Sequence, residues 1–279
     1  MKPQVSIVVR ACNDIAYIEQ TLEMISRQSF QNFQLLCPDS NSTDGTYEKL
    51  CSYCSEAYRI EGRYVPGKVL NEAVSKCRGE IIVFNNSDCV IQDERWLENL
   101  IKPFEDQQVT AVYGKQVPRK DADPLVVKDY SRAFSRESLK WGNFFSLATS
   151  AIRKGSLLEH PFNEEIQYSE DVEWAWRARQ RGEKIAFAEG AVVEHSHNYT
   201  VEEIKKRFYG EGLAEPAIYG RRPAEETFPT CVIKPVVAET LRDWIYLLKI
   251  GRLDLFLWAP KYRWLQRSSV YNGIKEYYT

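Results

Sequence analysis

The chain has 279 residues, of which 44% are apolar and 27% charged, so it has the composition of a folded globular protein with a hydrophobic core rather than a disordered chain. Its 37 basic and 39 acidic side chains give a formal net charge of -2, which argues against nucleic acid as the main partner. This length suits one large α/β domain with an appendage, or two modest domains.

Seven cysteines are scattered among the predicted core elements, and this odd number favours free thiols in a reducing compartment. Cys51 and Cys54 have no second pair at zinc-finger spacing, so we interpret them as structural. No secretory pattern precedes the first predicted strand, and no apolar run reaches about 18 residues. We therefore expect a cytoplasmic protein without a membrane-spanning helix.

The first third of the chain alternates predicted strands and helices. The β-branched residues 5–9 predict a strand, and apolar side chains at helical spacing predict a helix from about 15 to 28. A second strand is predicted at 33–37, before Pro38, and the turn-forming segment 39–46 opens a second helix. This β-α-β-α order predicts a parallel sheet with the loops after both strands at one edge.

The stretch GEIIVFNNSDC, from Gly79 to Cys89, combines a strand with a polar tip. The continuous apolar run from Ile81 to Phe84 predicts a strand that is covered on both faces. Ligands of open α/β sheets bind beyond the carboxyl ends of strands, and Asn86 and Asp88 there offer two oxygens to a hard cation. The alternative is an ordinary Asn/Ser/Asp turn.

Three strand ends are therefore expected to converge, at residues 10–13, 39–41 and 86–88. Two of these ends would cradle a nucleotide, while a metal ion at the third would hold its phosphates.

The C-terminal tail changes character from about residue 230. Apolar side chains fall on one helical face there, namely Val237, Leu241, Trp244, Ile245 and Leu248. Residues 230–279 contain eight Lys or Arg and four Asp or Glu, a local charge of +4 in an acidic chain. Three interpretations stay open, which are contact with a membrane surface, packing on the catalytic domain and a homodimer contact.

The order of motifs resembles the family-2 glycosyltransferases, which have the GT-A nucleotide-sugar-binding fold. The first half carries the resemblance through VSIVVR from Val5, DSNSTDGT from Asp39 and GEIIVFNNSD from Gly79. The second half adds YGKQ at 113–116, SAIR at 150–153, PFNE at 161–164, SED at 169–171 and HSH at 195–197. Together they cover roughly residues 4 to 210, and the details are most similar to rhamnosyltransferase-like bacterial enzymes that build surface polysaccharides.

The resemblance implies an α/β fold with a mostly parallel central sheet flanked by helices. We expect a GT-A catalytic domain over residues 1–215 and a C-terminal helical extension over 216–279. The implied activity is inverting transfer of a hexose or deoxyhexose from a UDP- or dTDP-sugar to a hydroxyl of a glycan or lipid-linked acceptor. The cytoplasm is the expected location, with the inner face of the membrane as the place for any peripheral contact.

Nine residues form the predicted donor-binding set. They are Arg10, Ala11, Asn13, Asp39, Asn41, Lys68, Asn86, Ser87 and Arg153. The resemblance implies that Asp39 binds the pyrimidine base, whereas a helix cap or Asx turn is its alternative interpretation. Lys68 and Arg153 would neutralise phosphate charge, unless they are solvated surface residues.

The segment from Asn86 to Asp88 aligns with the metal-binding D-x-D of the family. The resemblance implies that Asp88 is the main ligand of a divalent cation, Mg²⁺ or Mn²⁺, with Asn86 and His195 as further ligands. Asn86 departs from the pattern, and the loss of one charge is expected to weaken metal affinity. A structural histidine is the alternative interpretation of His195 and is favoured for His197.

Glu170 and Asp171 begin a helix that is predicted to run to about Gln180, where Gly182 ends it. Favourable interaction with the helix dipole is a sufficient structural reason for both carboxylates. Inverting transfer also needs a base for the acceptor hydroxyl, and the resemblance implies that Asp171 is this base while Glu170 holds the acceptor or a loop.

Two other functions stay open at this stage. A sugar nucleotidyltransferase would share the fold type but would need a glycine- and basic-rich triphosphate loop, and residues 10–15 contain no glycine. A degenerate glycan-binding or scaffold protein is the non-enzymatic alternative, for which Asn86 is the only indication.

Overall fold

The computed structural model describes residues 4–279, which fold into two compact units. The first unit comprises the described residues up to Lys120 together with Tyr130–Glu165 and Glu170–Ser196. The second comprises Asp121–Asp129, Ile166–Ser169 and His197–Thr279. The main segment of the second unit thus begins at His197, and two short segments that precede it in the chain also belong to this unit.

The first unit contains one mixed sheet, which has eight strands in the described residues. The strands are β1 Val5–Arg10, β2 Phe33–Asp39, β3 Ala57–Arg59, β4 Ile81–Asn86, β5 Val90–Ile91, β6 Val109–Val117, β7 Thr149–Arg153 and β8 Lys184–Glu194. Their spatial order is β3-β2-β1-β4-β7-β6-β8-β5. Neighbours from β3 to β4 are parallel, as are β6 and β8, whereas β7 is antiparallel to both β4 and β6, and β5 is antiparallel to β8. The α/β class and the mostly parallel sheet are therefore confirmed.

Helices cover the sheet and build the second unit. In the part of the chain that the structure describes they are α1 Ile15–Ser26, α2 Thr46–Tyr53, α3 Pro66–Lys76, α4 Trp96–Ile101, α5 Pro124–Ala133, α6 Lys154–Glu159, α7 Glu170–Gln180, α8 Val201–Tyr219, α9 Lys234–Lys249 and α10 Trp258–Tyr277.

The continuous apolar run of β4 is buried on both faces, as predicted. Ile81 and Val83 belong to the hydrophobic cluster on one face of the sheet, which includes α1 residues. Ile82 and Phe84 belong to the cluster on the other face, which includes residues of α3 and α7. Because side chains alternate along a strand, a strand between two helical layers needs apolar residues at every position.

Some predicted boundaries were wrong. Strand β2 does not end before Pro38, since the Pro38 carbonyl accepts a hydrogen bond from the Ala11 N–H at 3.1 Å and the ladder to β3 continues through Asp39. Strand β3 was not predicted, and its three residues are too few to show a period. The YGKQ motif at 113–116 lies inside β6.

The second unit has its own apolar core. Its buried members are Leu125, Ile204, Leu247, Ala259 and Tyr262. Helices α8 and α10 approach very closely there, because a methyl group on Gly212 would collide with the Val270 carbonyl, and one on Gly273 with the Tyr209 carbonyl. Among residues 4–279, no helix combines the length and the apolar content that crossing a bilayer requires.

Candidate active site

The three predicted strand ends meet at one edge of the sheet. Strand β1 lies between β2 and β4, and the register places Arg10 beside Asn86. Ala11 forms a bridge with Asp39 on the other side, and the Ser40 N–H donates to the Ala11 carbonyl at 2.8 Å. The convergence is a consequence of the parallel order of these three strands.

Asp39 is completely buried at this edge, and both of its carboxylate oxygens accept hydrogen bonds from Ser42. The Ser42 hydroxyl also accepts from the Asn13 N–H at 2.9 Å. Asn13 and Asn41 have φ values of 57° and 60°, a left-handed conformation that asparagine tolerates better than most residues. These bonds stabilise the turn over residues 39–42, as a structural role for Asp39 would require, and base recognition by Asp39 stays a prediction.

Arg10 connects the end of β4 to the start of α7. Its guanidinium donates to Glu170 Oε1 at 3.0 Å and to Asn86 Oδ1 at 3.2 Å. The Arg10 and Glu170 side chains are only 17% and 12% exposed, so this ion pair is poorly screened by water. The Asn86 oxygen is thus bonded to Arg10, and the charge of Glu170 is compensated by a fixed cation.

Asp171 lies on the first turn of α7, two residues after Ser169, whose φ is 61°. One carboxylate oxygen accepts from the Leu147 N–H at 3.0 Å and the other from the Val172 N–H at 2.8 Å. Burial, followed by the negative charge of Glu170, raises the pKa of Asp171 to about 6, although the two backbone donors oppose this shift. The residue as a whole is half-buried, and the two backbone donors hold its carboxylate in one orientation.

Asp88 and His195 face each other at the same edge. His195 Nε2 lies 3.3 Å from Asp88 Oδ2, and Cys89 is close enough that one ligand atom from each residue lies within 4.8 Å of the other two. Burial raises the pKa of the Cys89 thiol well above its usual range. Hard cations such as Mg²⁺ and Mn²⁺ prefer oxygen ligands to sulfur, so Cys89 is the least suitable ligand of the three. A carboxylate and an imidazole remain, and they suit a divalent ion whose other ligands are water and phosphate oxygens.

Gln116 determines which nitrogen of His195 faces Asp88. The His195 Nδ1 lies 2.7 Å from the Gln116 side-chain oxygen, and the Gln116 amide nitrogen donates to the Ser146 hydroxyl at 2.8 Å. Because an amide oxygen only accepts, Nδ1 carries a proton and Nε2 is left as the nitrogen that faces Asp88. Hydrogen bonds of this kind orient metal-binding histidines in proteins.

Arg119 places a cation beside Asp88. Its guanidinium donates to the Asp88 carbonyl at 2.7 Å and lies 3.7 Å from Asp88 Oδ2. It also packs over the Tyr17 ring at 3.9 Å and donates to the Ser196 carbonyl. The positive charge of Arg119 therefore lies next to the negative charge of the Asp88 carboxylate.

Sequence reasoning missed Asp14, Gln116 and Arg119 as members of this edge. Asp14 occupies the N-cap position of α1, but its carboxylate accepts from the Ser87 hydroxyl and from the Cys12 N–H rather than from an N–H of the helix. Burial raises the pKa of Asp14. Gln116 could have been recognised as a site residue from its place in the YGKQ motif. Arg119 has no such motif, and only the pairing of β6 with β8 brings the residues after these two strands together.

Two of the predicted donor-binding residues, Arg153 and Lys68, are not brought into these contacts. Arg153 lies opposite Ile81 in the antiparallel β4–β7 register, at the far end of the sheet and roughly 15 Å along the strand from Asn86. Its guanidinium donates to the carbonyls of Phe104, Asp106 and Val109. This position corrects the expectation that Arg153 binds the donor, since the antiparallel direction of β7 was not visible in the sequence.

Lys68 is not part of these contacts either. Lys68 is exposed on the first turn of α3. His197 belongs to the second unit and stacks on Tyr199 with a centroid distance of 5.3 Å, a structural contact of the kind favoured for it. The residues that do meet, from Arg10 to His195, all belong to the first unit.

Comparison with known proteins relates this chain to enzymes of sugar transfer. The pattern described as Glycosyl transferase family 2 matches residues 6–166. The chain is 29% identical over 225 residues to the O-antigen chain rhamnosyltransferase RfbN of Salmonella typhimurium, a match that covers 75% of this chain and 72% of that protein. It is 30% identical over 227 residues to the O-antigen chain rhamnosyltransferase WbaN of Salmonella anatum, with 76% and 72% covered.

Solved structures confirm the expected GT-A fold. The mannosyltransferase PcManGT from Pyrobaculum calidifontis, in complex with GDP-Man and Mn²⁺, matches 100% of this chain and 88% of its own, with a TM-score of 0.70 and 17% identity. Glucosyl-3-phosphoglycerate synthase from Mycobacterium tuberculosis, in complex with Mn²⁺, UDP-Glc and phosphoglyceric acid, matches 79% and 81%, with a TM-score of 0.61 and 20% identity.

Proposed function

The chain belongs to glycosyl transferase family 2, and from this membership we propose that it transfers one sugar, with inversion, from a nucleoside-diphosphate donor to a hydroxyl of a glycan or lipid-linked acceptor. The family transfers sugars, so membership favours this reaction over nucleotidyl transfer. The names of the two Salmonella relatives support a deoxyhexose donor and a role in surface polysaccharide synthesis. The predicted role of Asp39 in binding a pyrimidine base supports UDP or dTDP as the nucleotide of the donor.

The observation that carries the proposal is that Arg10 connects the end of β4 to the start of α7. Its guanidinium bonds Asn86 at the end of β4 and Glu170 beside Asp171. A donor whose phosphates lie at the β4 end and an acceptor that reaches α7 would therefore meet on either side of one fixed cation. Fixed charges of this kind stabilise charge that develops in a transition state without reorganisation.

The proposed reaction starts with Asp171. Its carboxylate takes the proton of the acceptor hydroxyl while that oxygen attacks the anomeric carbon from the face opposite the diphosphate. The new C–O bond forms as the bond to the diphosphate oxygen breaks, and the electron pair leaves with the diphosphate. Two backbone N–H groups orient Asp171 for this step, and a pKa of about 6 leaves it ionised at neutral pH.

A divalent cation fits the pair formed by Asp88 and His195. The pair offers one carboxylate oxygen and one imidazole nitrogen, and Gln116 selects the tautomer that exposes this nitrogen. When bound there, the ion would act as a Lewis acid toward the leaving diphosphate. The side-chain oxygen of Asn86 accepts a hydrogen bond from Arg10, and Asn86 remains a predicted further ligand of the divalent ion.

Donor binding across UDP-, dTDP- and GDP-sugars tests this proposal, measured by calorimetry with Mg²⁺, with Mn²⁺ and with chelator. We expect one pyrimidine nucleotide sugar to bind with metal, and its affinity to fall at least about tenfold with chelator or in Asp88→Ala, because the phosphates then lose their cation. Glu94→Ala removes an exposed carboxylate and serves as the matched control. Donor affinity that is unchanged by chelator and by Asp88→Ala would contradict the metal assignment, and the absence of binding by any donor would contradict the function.

A further inference from the structure

Helix α9 exposes its apolar face to solvent. Val237, Leu241, Ile245 and Leu248 follow one another at three- and four-residue spacing and are 55%, 50%, 56% and 60% exposed. We call these four residues the α9 stripe. The sequence correctly predicted that they share a face, but this face is not part of the core of the second unit.

The opposite face of α9 carries a buried charge. Asp243 is completely buried and accepts two hydrogen bonds from Arg263, at 2.7 Å and 2.9 Å, as well as one from Lys128. Arg263 in turn makes two bonds to Asp129, at 2.7 Å and 2.9 Å. Rolling the helix to bury the stripe would leave buried charges without partners, so this network fixes the stripe on the outside.

The apolar surface continues beyond the α9 stripe in the same segment. Ile233 precedes it, and Ile250, Leu253 and Leu257 follow in the connection to α10, with Leu257 88% exposed. Soluble proteins rarely expose so many large apolar side chains in one segment unless that surface binds something.

The charges beside the α9 stripe distinguish between two candidate partners, an anionic surface and a second copy of this chain. Arg242 and Lys249 are seven residues apart, both exposed, and therefore line the same flank of the α9 stripe. The two acids of α9 are neutralised elsewhere, since Glu239 pairs with Arg267 and Asp243 with Arg263. The charge that borders the stripe is thus basic, which complements an anionic surface and would repel the same flank of a second copy.

We propose that the α9 stripe and its basic flank dock on the surface of an anionic lipid bilayer, with the helix lying in the plane of the interface. Helices with a large apolar face and Lys or Arg beside it bind membranes in this way, through apolar burial and attraction to anionic lipid together. Binding requires neither donor nor acceptor, so this inference stands or fails separately from the proposed transfer reaction.

Cosedimentation of the full chain with vesicles tests the proposal. The vesicles contain phosphatidylcholine alone or phosphatidylcholine with about 30% phosphatidylglycerol, and we expect binding to the second kind. Arg242→Gln with Lys249→Gln should lower the partition constant about 25-fold, since each basic residue contributes about fivefold. Leu241→Gln with Ile245→Gln should lower it at least about tenfold, because half-exposed apolar groups no longer enter the interface.

Leu158→Gln is the matched control, because Leu158 is 61% exposed on α6 in the first unit and lies outside the stripe. This variant should bind vesicles as the wild type does, and circular dichroism should show the same unfolding temperature for all variants. Wild-type protein that stays in the supernatant with anionic vesicles, or Leu241→Gln/Ile245→Gln protein that binds unchanged, would overturn the proposal. A dimer in light scattering that this double variant dissociates, without vesicle binding, would assign the stripe to a second copy instead.

Discussion

At the scale of single residues, the site depends on how neighbours control two carboxylates on one helix turn. Glu170 is paired with Arg10, whereas Asp171 has only backbone donors and lies where burial makes its ionisation costly. The two adjacent acids therefore differ in role because their surroundings differ. Asp171 is the one whose proton affinity is matched to work near neutral pH.

The pH dependence of transfer should report this difference. Because the base must be ionised and the pKa of Asp171 is about 6, kcat/KM for the acceptor should fall about tenfold per pH unit below that value and level off above it. Glu170→Gln removes the neighbouring negative charge and should move the inflection to lower pH, though only in part, since burial is the larger cause. Steady-state rates at saturating donor measure this, and a profile without an acid limb would contradict the assignment.

Residue-level prediction succeeded where a motif coincides with a strand end. Arg10, Asp39 and Asp88 could be placed together because parallel strands deliver their carboxyl ends to one edge. Arg153 was misplaced because its strand runs the other way, and strand direction has no local signature in sequence. Arg119 was missed because its partners, Asp88 and Ser196, are distant in the chain.

At the scale of elements, the second unit depends on a close approach of α8 and α10. Gly212 and Gly273 allow the two helix backbones to pack without side chains between them. Glycine inside a helix is otherwise unfavourable by about 1 kcal/mol relative to alanine, so these two positions are explained by packing.

Gly212→Ala should therefore destabilise the second unit by about 1–3 kcal/mol, because the new methyl group collides with the Val270 carbonyl. Gly155→Ala is the control, since nothing lies within 4 Å of a methyl group at this position of α6. Urea denaturation should show a lower midpoint for the first variant and an equal or higher midpoint for the second. Equal stability of Gly212→Ala and wild type would show that the helices can separate at no cost.

Several elements were predictable from local sequence, including β1 from its β-branched residues, β4 from its continuous apolar run and α1 from its helical spacing. The exceptions have specific physical causes. Pro38 continues a strand because its carbonyl is still used, and α9 turns its apolar face outward because Asp243 must stay with Arg263. A period shows which residues share a face but not which face is buried.

At the scale of the whole molecule, the fold class followed from the alternation of strands and helices, and the family from the ordered motifs. The division into two units could not be read from the sequence, because residues 121–129 and 166–169 join the second unit through contacts that are distant in sequence. The buried network of Lys128, Asp129, Asp243 and Arg263 is one such set, and neither its partners nor its burial is visible from composition.

The central claim is that Asp171 removes the acceptor proton, and the most direct test separates chemistry from binding in one variant. Asp171→Asn should lower the rate of glycosyl transfer by about 10²–10⁴-fold, because an amide cannot accept the proton. Its affinity for the nucleotide-sugar donor, measured by calorimetry on the same preparation, should stay at the wild-type value. Transfer by Asp171→Asn at a rate close to that of the wild type would remove Asp171 from the reaction and contradict the account.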